Sequence, residues 1–531
     1  TDRRPNILWV SFEDTNPFYG CYGDPVARTP NVDRLAAEGC VWPQAFSTAP
    51  VCSPARSAVI TGMYPCSIGT HHHRTNSGAS SYPELGFSYE AVVPHYVKCV
   101  PEYFRAAGYY CTNNQKTDYQ FHAPLTAWDE CSADAHWRNR PDPEQPFFAV
   151  FNPGCTHESG MWADKENAFD VDAVSVPPYF PDTPVVRESL GRMYTNIETA
   201  DRYLGELLQQ LDDDGLAENT IVCHWSDHGP FPRGKRWLYD AGIHVPMIVR
   251  WPGHIEPGTT SDQLVSTVDL GPSMLSAAGL TVPLHMQGRA FLGPQAQTPR
   301  EYVYVSRDRY DEMYDMARGV RSKRFKYIRN WHPEEPYLRW NSYRNIHPIM
   351  QEMWKGYVEG TLEGAQLQMF ANRRPAEELY DLDADPHELQ NLADDPGHRE
   401  QLLRMRAALD RWRDDVGDLG DMPEDVMWRQ MYPDGTQPQT RPPRLIPLGP
   451  HATGELALDD GGTLRGPVVL QMQSPTQGAS IAYRIDGVHA GWQLYTGPVR
   501  LPAGSVRVRA RAVRIGYADS DEVEAAFDVS A

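Results

Sequence analysis

Asn6-Ile7-Leu8-Trp9-Val10-Ser11-Phe12 followed by Glu13-Asp14 is the stretch on which the fold turns. A short apolar run closing on two carboxylates has the pattern of a buried strand whose C-terminal end presents acidic groups. Functional side chains gather at such strand ends in open α/β sheets. Outward from it, the pattern predicts a helix over 31–38, a short strand over 41–46 and a helix over 54–61 with proline in its first turn. Apolar segments at 109–112, 147–151, 220–225 and 245–249 alternate with helical ones, notably 186–211. That alternation predicts an α/β sandwich around a mainly parallel central sheet.

Beyond about residue 300 the texture changes to strand-like pieces at 302–305 and 324–328, a polar turn at 381–386 and a closing helix at 399–412, which suggests a smaller α+β subdomain. Residues 435–450 are rich in Pro, Gln, Thr and Gly, a linker composition. Strand-like runs at 468–472, 480–485, 493–495 and 506–513 then predict an appended β-sandwich. The expected organisation is a catalytic α/β domain at 1–300, a subdomain at 301–434, a linker at 435–450 and a β-module at 451–531. Within that module Val506 to Arg514 mostly alternates apolar residues with arginine, predicting an arginine-rich face that is either solvated or polyanion-binding.

The composition narrows the function classes. Against 49 Lys plus Arg stand 70 Asp plus Glu, a formal net charge of −21, which disfavours a phosphate backbone and argues against a nucleic-acid partner. Apolar runs fall short of the ~18 residues that cross a bilayer, so no membrane partner is expected. The nine cysteines show no Cys-x-x-Cys pair and no repeating pattern, so neither a disulfide framework nor a zinc site is indicated. Thr1-Asp2-Arg3-Arg4-Pro5 carries no hydrophobic signal core, and with the unpaired cysteines it points to the cytoplasm; a periplasmic or secreted protein with its signal removed is the alternative.

The chemistry concentrates around Cys52-Ser53-Pro54-Ala55-Arg56-Ser57-Ala58-Val59-Ile60-Thr61-Gly62. This string resembles the signature of the formylglycine-dependent type I sulfatases, Cys-x-Pro-x-Arg followed by Thr-Gly. The resemblance runs over roughly residues 5–420, including Glu378-Leu379-Tyr380-Asp381-Leu382, Asp385-Pro386 and Asn391-Leu392 in the subdomain. It implies the alkaline-phosphatase-like sandwich and an aldehyde made from Cys52 by a formylglycine-generating maturation enzyme. One hydroxyl of the hydrated aldehyde would attack sulfur, and the other would expel inorganic sulfate from the covalent sulfo-enzyme.

An aldehyde hydrate needs a cation to lower its pKa and offset the sulfate charge. Glu13-Asp14 and Asp227-His228-Gly229 follow two strands expected to end at one sheet edge, so Glu13, Asp14, Asp227 and His228, with Cys52, are the candidate metal ligands. Relatives carry Asp-Asp at the first position, and Glu13 departs from that. Mostly oxygen donors favour Ca²⁺, with Mg²⁺ second. The resemblance assigns sulfate binding to Lys116, where Asp118 replaces the family histidine, and to Lys235. It assigns protonation of the leaving atom to His157, a residue type suited to general acid catalysis. Arg56 would brace the nucleophile. His72, Arg74 and Arg307 are further candidates for the substrate pocket.

The run Val176-Pro177-Pro178-Tyr179-Phe180-Pro181-Asp182-Thr183-Pro184, with Asp227-His228-Gly229-Pro230-Phe231-Pro232, is most similar to heparan N-sulfatases. It implies a sulfated sugar as substrate. The terminal module resembles that of chitobiase-type glycosidases. A phosphonate or phosphate diester hydrolase of the same superfamily is the enzymatic alternative, and a non-catalytic carbohydrate-binding protein is the alternative from another class.

Overall fold

The computed structural model describes residues 4–76, 83–453, 458 and 460–530. Residues 1–3, part of the segment read above for localisation, lie outside these. The chain divides into two compact units, residues 1–88 with 150–421 and residues 89–149 with 422–531.

In the first unit the strand Asn6–Phe12 is buried at every position and pairs in parallel with Thr220–Ser226. Register runs from Asn6 opposite Thr220 to Phe12 opposite Ser226. Both strands lie inside the sheet, which is why they read as largely apolar runs rather than alternating ones. The sheet continues antiparallel through Met247–Arg250 to Cys40–Val41, which pairs in parallel with Thr259–Thr260. The segment expected as one strand over 41–46 is two, Cys40–Val41 and Ala45–Phe46, with Pro43 between them removing a ladder donor.

The helix Cys52–Thr61 begins two residues earlier than its proline suggests and is buried along its whole length. It stops at Gly62, whose φ of 68° is a left-handed value glycine adopts freely, and whose N–H caps Ala58. The long helix Pro184–Asp213 starts with Thr183 as N-cap, accepting from the Val186 N–H at 3.3 Å, and buries Val186, Leu190, Met193, Ile197, Leu204, Leu208 and Leu211 along one stripe. A four-stranded antiparallel sheet, in the order Val303–Arg307, Ala317–Arg321, Phe325–Asn330 and Glu377–Asp381, packs Val320, Tyr327 and Leu379 against Leu402, Met405, Leu409 and Trp412 of the helix Arg399–Val416.

In the second unit Tyr110–Asn114 pairs in parallel with Glu130–Cys131. Residues 444–530 form a four-stranded and a five-stranded sheet around a core that includes Leu445, Leu470, Val508, Ala510 and Phe527. Arg444–Gly449, within the stretch of linker composition, is a strand that pairs antiparallel with Val469–Gln473, because Leu445 and Pro447 turn into that core. The arginine face is neutralised across the ladder: Arg507 and Arg509 pair with Glu524, and Arg509 and Arg511 pair with Glu522. This unit also ties the helix Val100–Ala106 to the β-module, through Ser480 Oγ donating to Glu102 at 2.8 Å and Arg105 donating to the Trp492 carbonyl at 2.6 Å. Among the described residues no helix is long and apolar enough to cross a membrane.

Candidate active site

Because Asn6–Phe12 and Thr220–Ser226 run side by side in the same direction, the residues that follow them emerge at one edge. The Asp14 N–H donates to Asp227 Oδ1 at 3.0 Å, and both carboxylates are buried. Asp14 holds φ at 46°, a sparsely populated region for a non-glycine residue that the surrounding contacts must sustain. The N-terminus of the helix Cys52–Thr61 meets this edge: Cys52 Sγ lies 3.2 Å from His228 Nε2 and 4.0 Å from Asp14 Oδ1, with no exposed surface of its own.

One turn on, Arg56 donates from Nε to Asp227 Oδ2 at 3.0 Å and from Nη1 to Asn152 Oδ1 at 3.0 Å. Asn152 also accepts from Ser11 Oγ at 2.6 Å. Three strand ends and the helix are thereby joined through hydrogen-bonded side chains.

Asp14, Cys52, Asp227 and His228 each offer a ligand atom, all within 4.8 Å of one another. His228 Nδ1 lies 3.0 Å from the Gly229 carbonyl, which orients the ring with Nε2 towards Cys52 and Asp14. Burial opposes a charged imidazole here, yet Asp227, Asp14 and Cys52 outweigh it and push its pKa up to about 9. A buried place that binds a proton this strongly is one where negative charge calls for a cation. Two hard carboxylates and one imidazole nitrogen fit a divalent ion. Glu13 falls in a different group, with Asp14 and His157, also within 4.8 Å.

Beside Asp14 stands a second charged set. Lys235 Nζ donates to Asp14 Oδ2 at 2.7 Å and lies 3.0 Å from Glu158 Oε1 and 3.3 Å from His157 Nε2. Burial works against its charge, but Asp14, Cys52 and Glu158 more than compensate and raise its pKa. Glu158 is held well below the usual carboxylate range, since Arg236 and Lys235 overcome its burial. Arg236 clamps it at 2.8 Å and 3.2 Å. His157 is half-buried and takes the Ser159 N–H on Nδ1 at 3.3 Å, leaving Nε2 to face Lys235 and Asp14.

The structure thus brings together Asp14, Cys52, Arg56, His157, Asp227, His228 and Lys235. Lys116 belongs to the second unit, where its Nζ lies 3.9 Å from Asp118. Arg307 is committed to Asp315 and to the Arg236 carbonyl at 3.0 Å, a bracing position for the segment that carries Lys235. His72 accepts from the Arg309 N–H at 3.3 Å, and His73 lies 3.1 Å from Asp311, so neighbours in the histidine trio take separate partners. Arg74 has a positive φ of 53°. Sequence reasoning missed Asn152, Glu158 and Arg236. Asn152 follows the strand Phe147–Phe151, so the strand-end rule that picked out Asp14 reaches it too.

The chain is similar in sequence to known proteins. Residues 5–139 and 120–280 match the Sulfatase family model, and residues 226–344 match that of the N-sulphoglucosamine sulphohydrolase C-terminal region. An ulvan-active sulfatase of Formosa agariphila is 41% identical over 98% of this chain and 91% of its own length. Human N-sulphoglucosamine sulphohydrolase is 27% identical over 77% of this chain and 90% of its own. The solved structure of a 2-O GAG sulfatase superposes with a TM-score of 0.58 at 20% identity, covering 78% of this chain and 93% of that one, and shares the alkaline-phosphatase-like fold. With the nucleophile helix, the paired strand ends and these matches in agreement, the chain belongs to the sulfatase family and is a sulfate ester hydrolase.

Proposed function

We propose that the protein releases sulfate from a sulfated carbohydrate, as an ester or a sulfamate, with Cys52 matured to formylglycine. The observation that carries the reading is the parallel pair ending in Asp14 and Asp227 beside Cys52, with Lys235 and His157 against the same carboxylate. Support for a sugar comes from the relatives, one named as ulvan-active and another as a sulphoglucosamine sulphohydrolase.

Asp14, Asp227 and His228, together with the matured Cys52, would hold a divalent cation, Ca²⁺ before Mg²⁺, which supplies positive charge to the sulfate oxygens and to the nucleophile. Formylglycine supplies a hydrated aldehyde, a nucleophile whose second hydroxyl allows sulfate to leave. Cys52 is fully buried, so its maturation enzyme has to meet this segment before the helix packs. Lys235 Nζ offers a fixed charge to sulfate. His157 Nε2 holds the proton that passes to the departing oxygen or nitrogen. Arg56 keeps the helix N-terminus against Asp227.

Two measurements test this. Peptide mass spectrometry should show the Cys52 peptide lighter by about 18 Da, the change from thiol to aldehyde. Turnover should favour a glucosamine N-sulfate or another sugar sulfate over an aryl phosphodiester. An unmodified thiol in a fully active preparation overturns the nucleophile, and preference for the phosphodiester overturns the substrate class.

A further inference from the structure

Tyr343 stands against His157 and Trp162 stands against Tyr343, and neither has a part in the chemistry above. The ring centroid of Tyr343 lies 6.3 Å from that of His157, and Trp162 lies 5.5 Å from Tyr343 at an interplanar angle of 51°. Arg236, clamped by Glu158, has its guanidinium carbon 5.9 Å from the Tyr343 ring centroid. Both aromatics are half-buried, unlike Trp9, Trp137 and Tyr327, which fill the interior.

Each is carried on a short element held in place from behind. Trp162 follows the turn Glu158–Met161, whose last carbonyl accepts from Ser189 Oγ at 2.8 Å and Arg192 Nε at 3.0 Å. Tyr343 sits in the helical turn Ser342–Asn345. Asn341 caps that turn by accepting from the Arg344 N–H at 2.7 Å, and its own Nδ2 donates to Asp311 at 3.0 Å. Rings fixed in this way lose little freedom when a ligand covers them.

A leaving group that takes its proton from His157 Nε2 would carry its sugar ring beside Tyr343, the aromatic in ring contact with His157, with Trp162 next to it. Aromatic faces are apolar and electron-rich, and they complement the C–H-bearing face of a pyranose, whose hydrogens carry slight positive charge. We propose that Trp162 and Tyr343 form a stacking platform for the sugar ring attached to the departing oxygen or nitrogen. The platform selects a ring-bearing substrate over the bare sulfate group. This inference rests on the sulfated-carbohydrate reading of the same site.

The test uses full-length enzyme matured with a formylglycine-generating enzyme, and the variants Trp162→Ala, Trp162→Phe and Tyr343→Leu. With a sulfated monosaccharide as substrate, Trp162→Ala and Tyr343→Leu should each raise KM about tenfold, the scale of one lost aromatic contact. Trp162→Phe should recover most of that loss. Inhibition by inorganic sulfate, which has no ring, should move far less than KM. Because the two residues lie on separate elements, misfolding of one variant leaves the other to decide. A fall confined to kcat, or equal shifts in KM and in sulfate inhibition, overturns the platform. Wild-type enzyme that turns over aryl sulfate but no sugar sulfate overturns the carbohydrate reading itself, and the platform with it.

Discussion

Arg56 Nε lies 3.0 Å from Asp227 Oδ2, joining the second turn of the nucleophile helix to the end of a central strand, with the arginine 3% and the aspartate 0% exposed. A pair this deep is weak evidence for net stability, but losing one partner leaves a buried charge uncompensated. Arg56→Ala is expected to destabilise the protein by about 3–5 kcal/mol in denaturant unfolding. It should also abolish turnover, since Asp227 and Asn152 lose the group that orients both. Retention of wild-type stability would show that water or a shifted cation replaces the guanidinium.

Removal of divalent cations should act on stability as well as activity. An ion bound only to the folded chain stabilises it by mass action, about 2.7 kcal/mol at a hundredfold excess over Kd. Prolonged chelation should therefore lower the melting temperature and stop turnover, and Ca²⁺ or Mg²⁺ should restore both. Asp14→Asn should blunt the thermal response to added cation. A chelated enzyme with an unchanged melting curve and full activity would remove the ion from Asp14, Asp227 and His228.

His157→Ala should discriminate between leaving groups. Aryl sulfates with acidic phenols need little proton assistance, whereas sugar sulfates need much. General acids contribute roughly 10²–10⁴-fold, so a loss on that scale is expected on the sugar substrate and a much smaller one on the activated aryl sulfate. Equal losses on both would make His157 a positioning residue through its contact with Lys235.

Legibility of these features in the sequence followed their range. Asn6–Phe12 and Thr220–Ser226 read as buried strands from local composition alone, and parallel pairing then implied that Asp14 and Asp227 would meet. The nucleophile turn was equally readable, because its residues are contiguous. Partnerships such as Glu158 with Arg236, or Arg56 with Asn152, span 78 and 96 residues and depend on how loops cross the strand ends. The arginine strand illustrates the same limit: its alternation was plain, but its charge is balanced by Glu522 and Glu524 on and before the neighbouring strand. That strand, Val523–Ser530, has the matching alternation of Val523, Ala525, Phe527 and Val529, and a period-2 count carried past residue 513 finds it.

A pH effect on stability is expected away from the active site. Burial and the neighbouring Asp240 carboxylate push Glu388 up to about 7, against the opposing pull of Lys326 at 2.8 Å. A carboxyl raised in the folded state binds its proton more tightly there than in the unfolded chain. Its contribution is fully present below the unfolded value near 4.5 and is lost as pH rises through about 7. Glu388→Gln keeps an acceptor for the Asp240 N–H, now 2.6 Å away, and removes the titration. The variant should therefore lose less stability than the wild type between pH 5 and pH 7.5, read from paired denaturant curves on a scale of about 1 kcal/mol per pH unit. Parallel slopes in the two proteins would place the proton elsewhere.

Replacing the nucleophile separates attack from release. Cys52→Ser supplies one hydroxyl at the helix N-terminus, within reach of the same Asp14, His228 and Lys235 environment. It lacks the geminal partner whose collapse expels sulfate, so an ester formed on the serine has no internal route to breakdown. Lys235 and Arg56 keep their carboxylate partners, so the fold should survive the change and a loss of turnover reads on chemistry. The expected result is at most one slow turnover per site, and a peptide carrying the substitution that is heavier by about 80 Da, one retained SO₃ unit. Unmodified wild-type protein, with Cys52 a thiol, should likewise fail to turn over continuously. Sustained turnover by Cys52→Ser without a sulfated peptide would show that release needs no second hydroxyl, and would move the nucleophile away from this position.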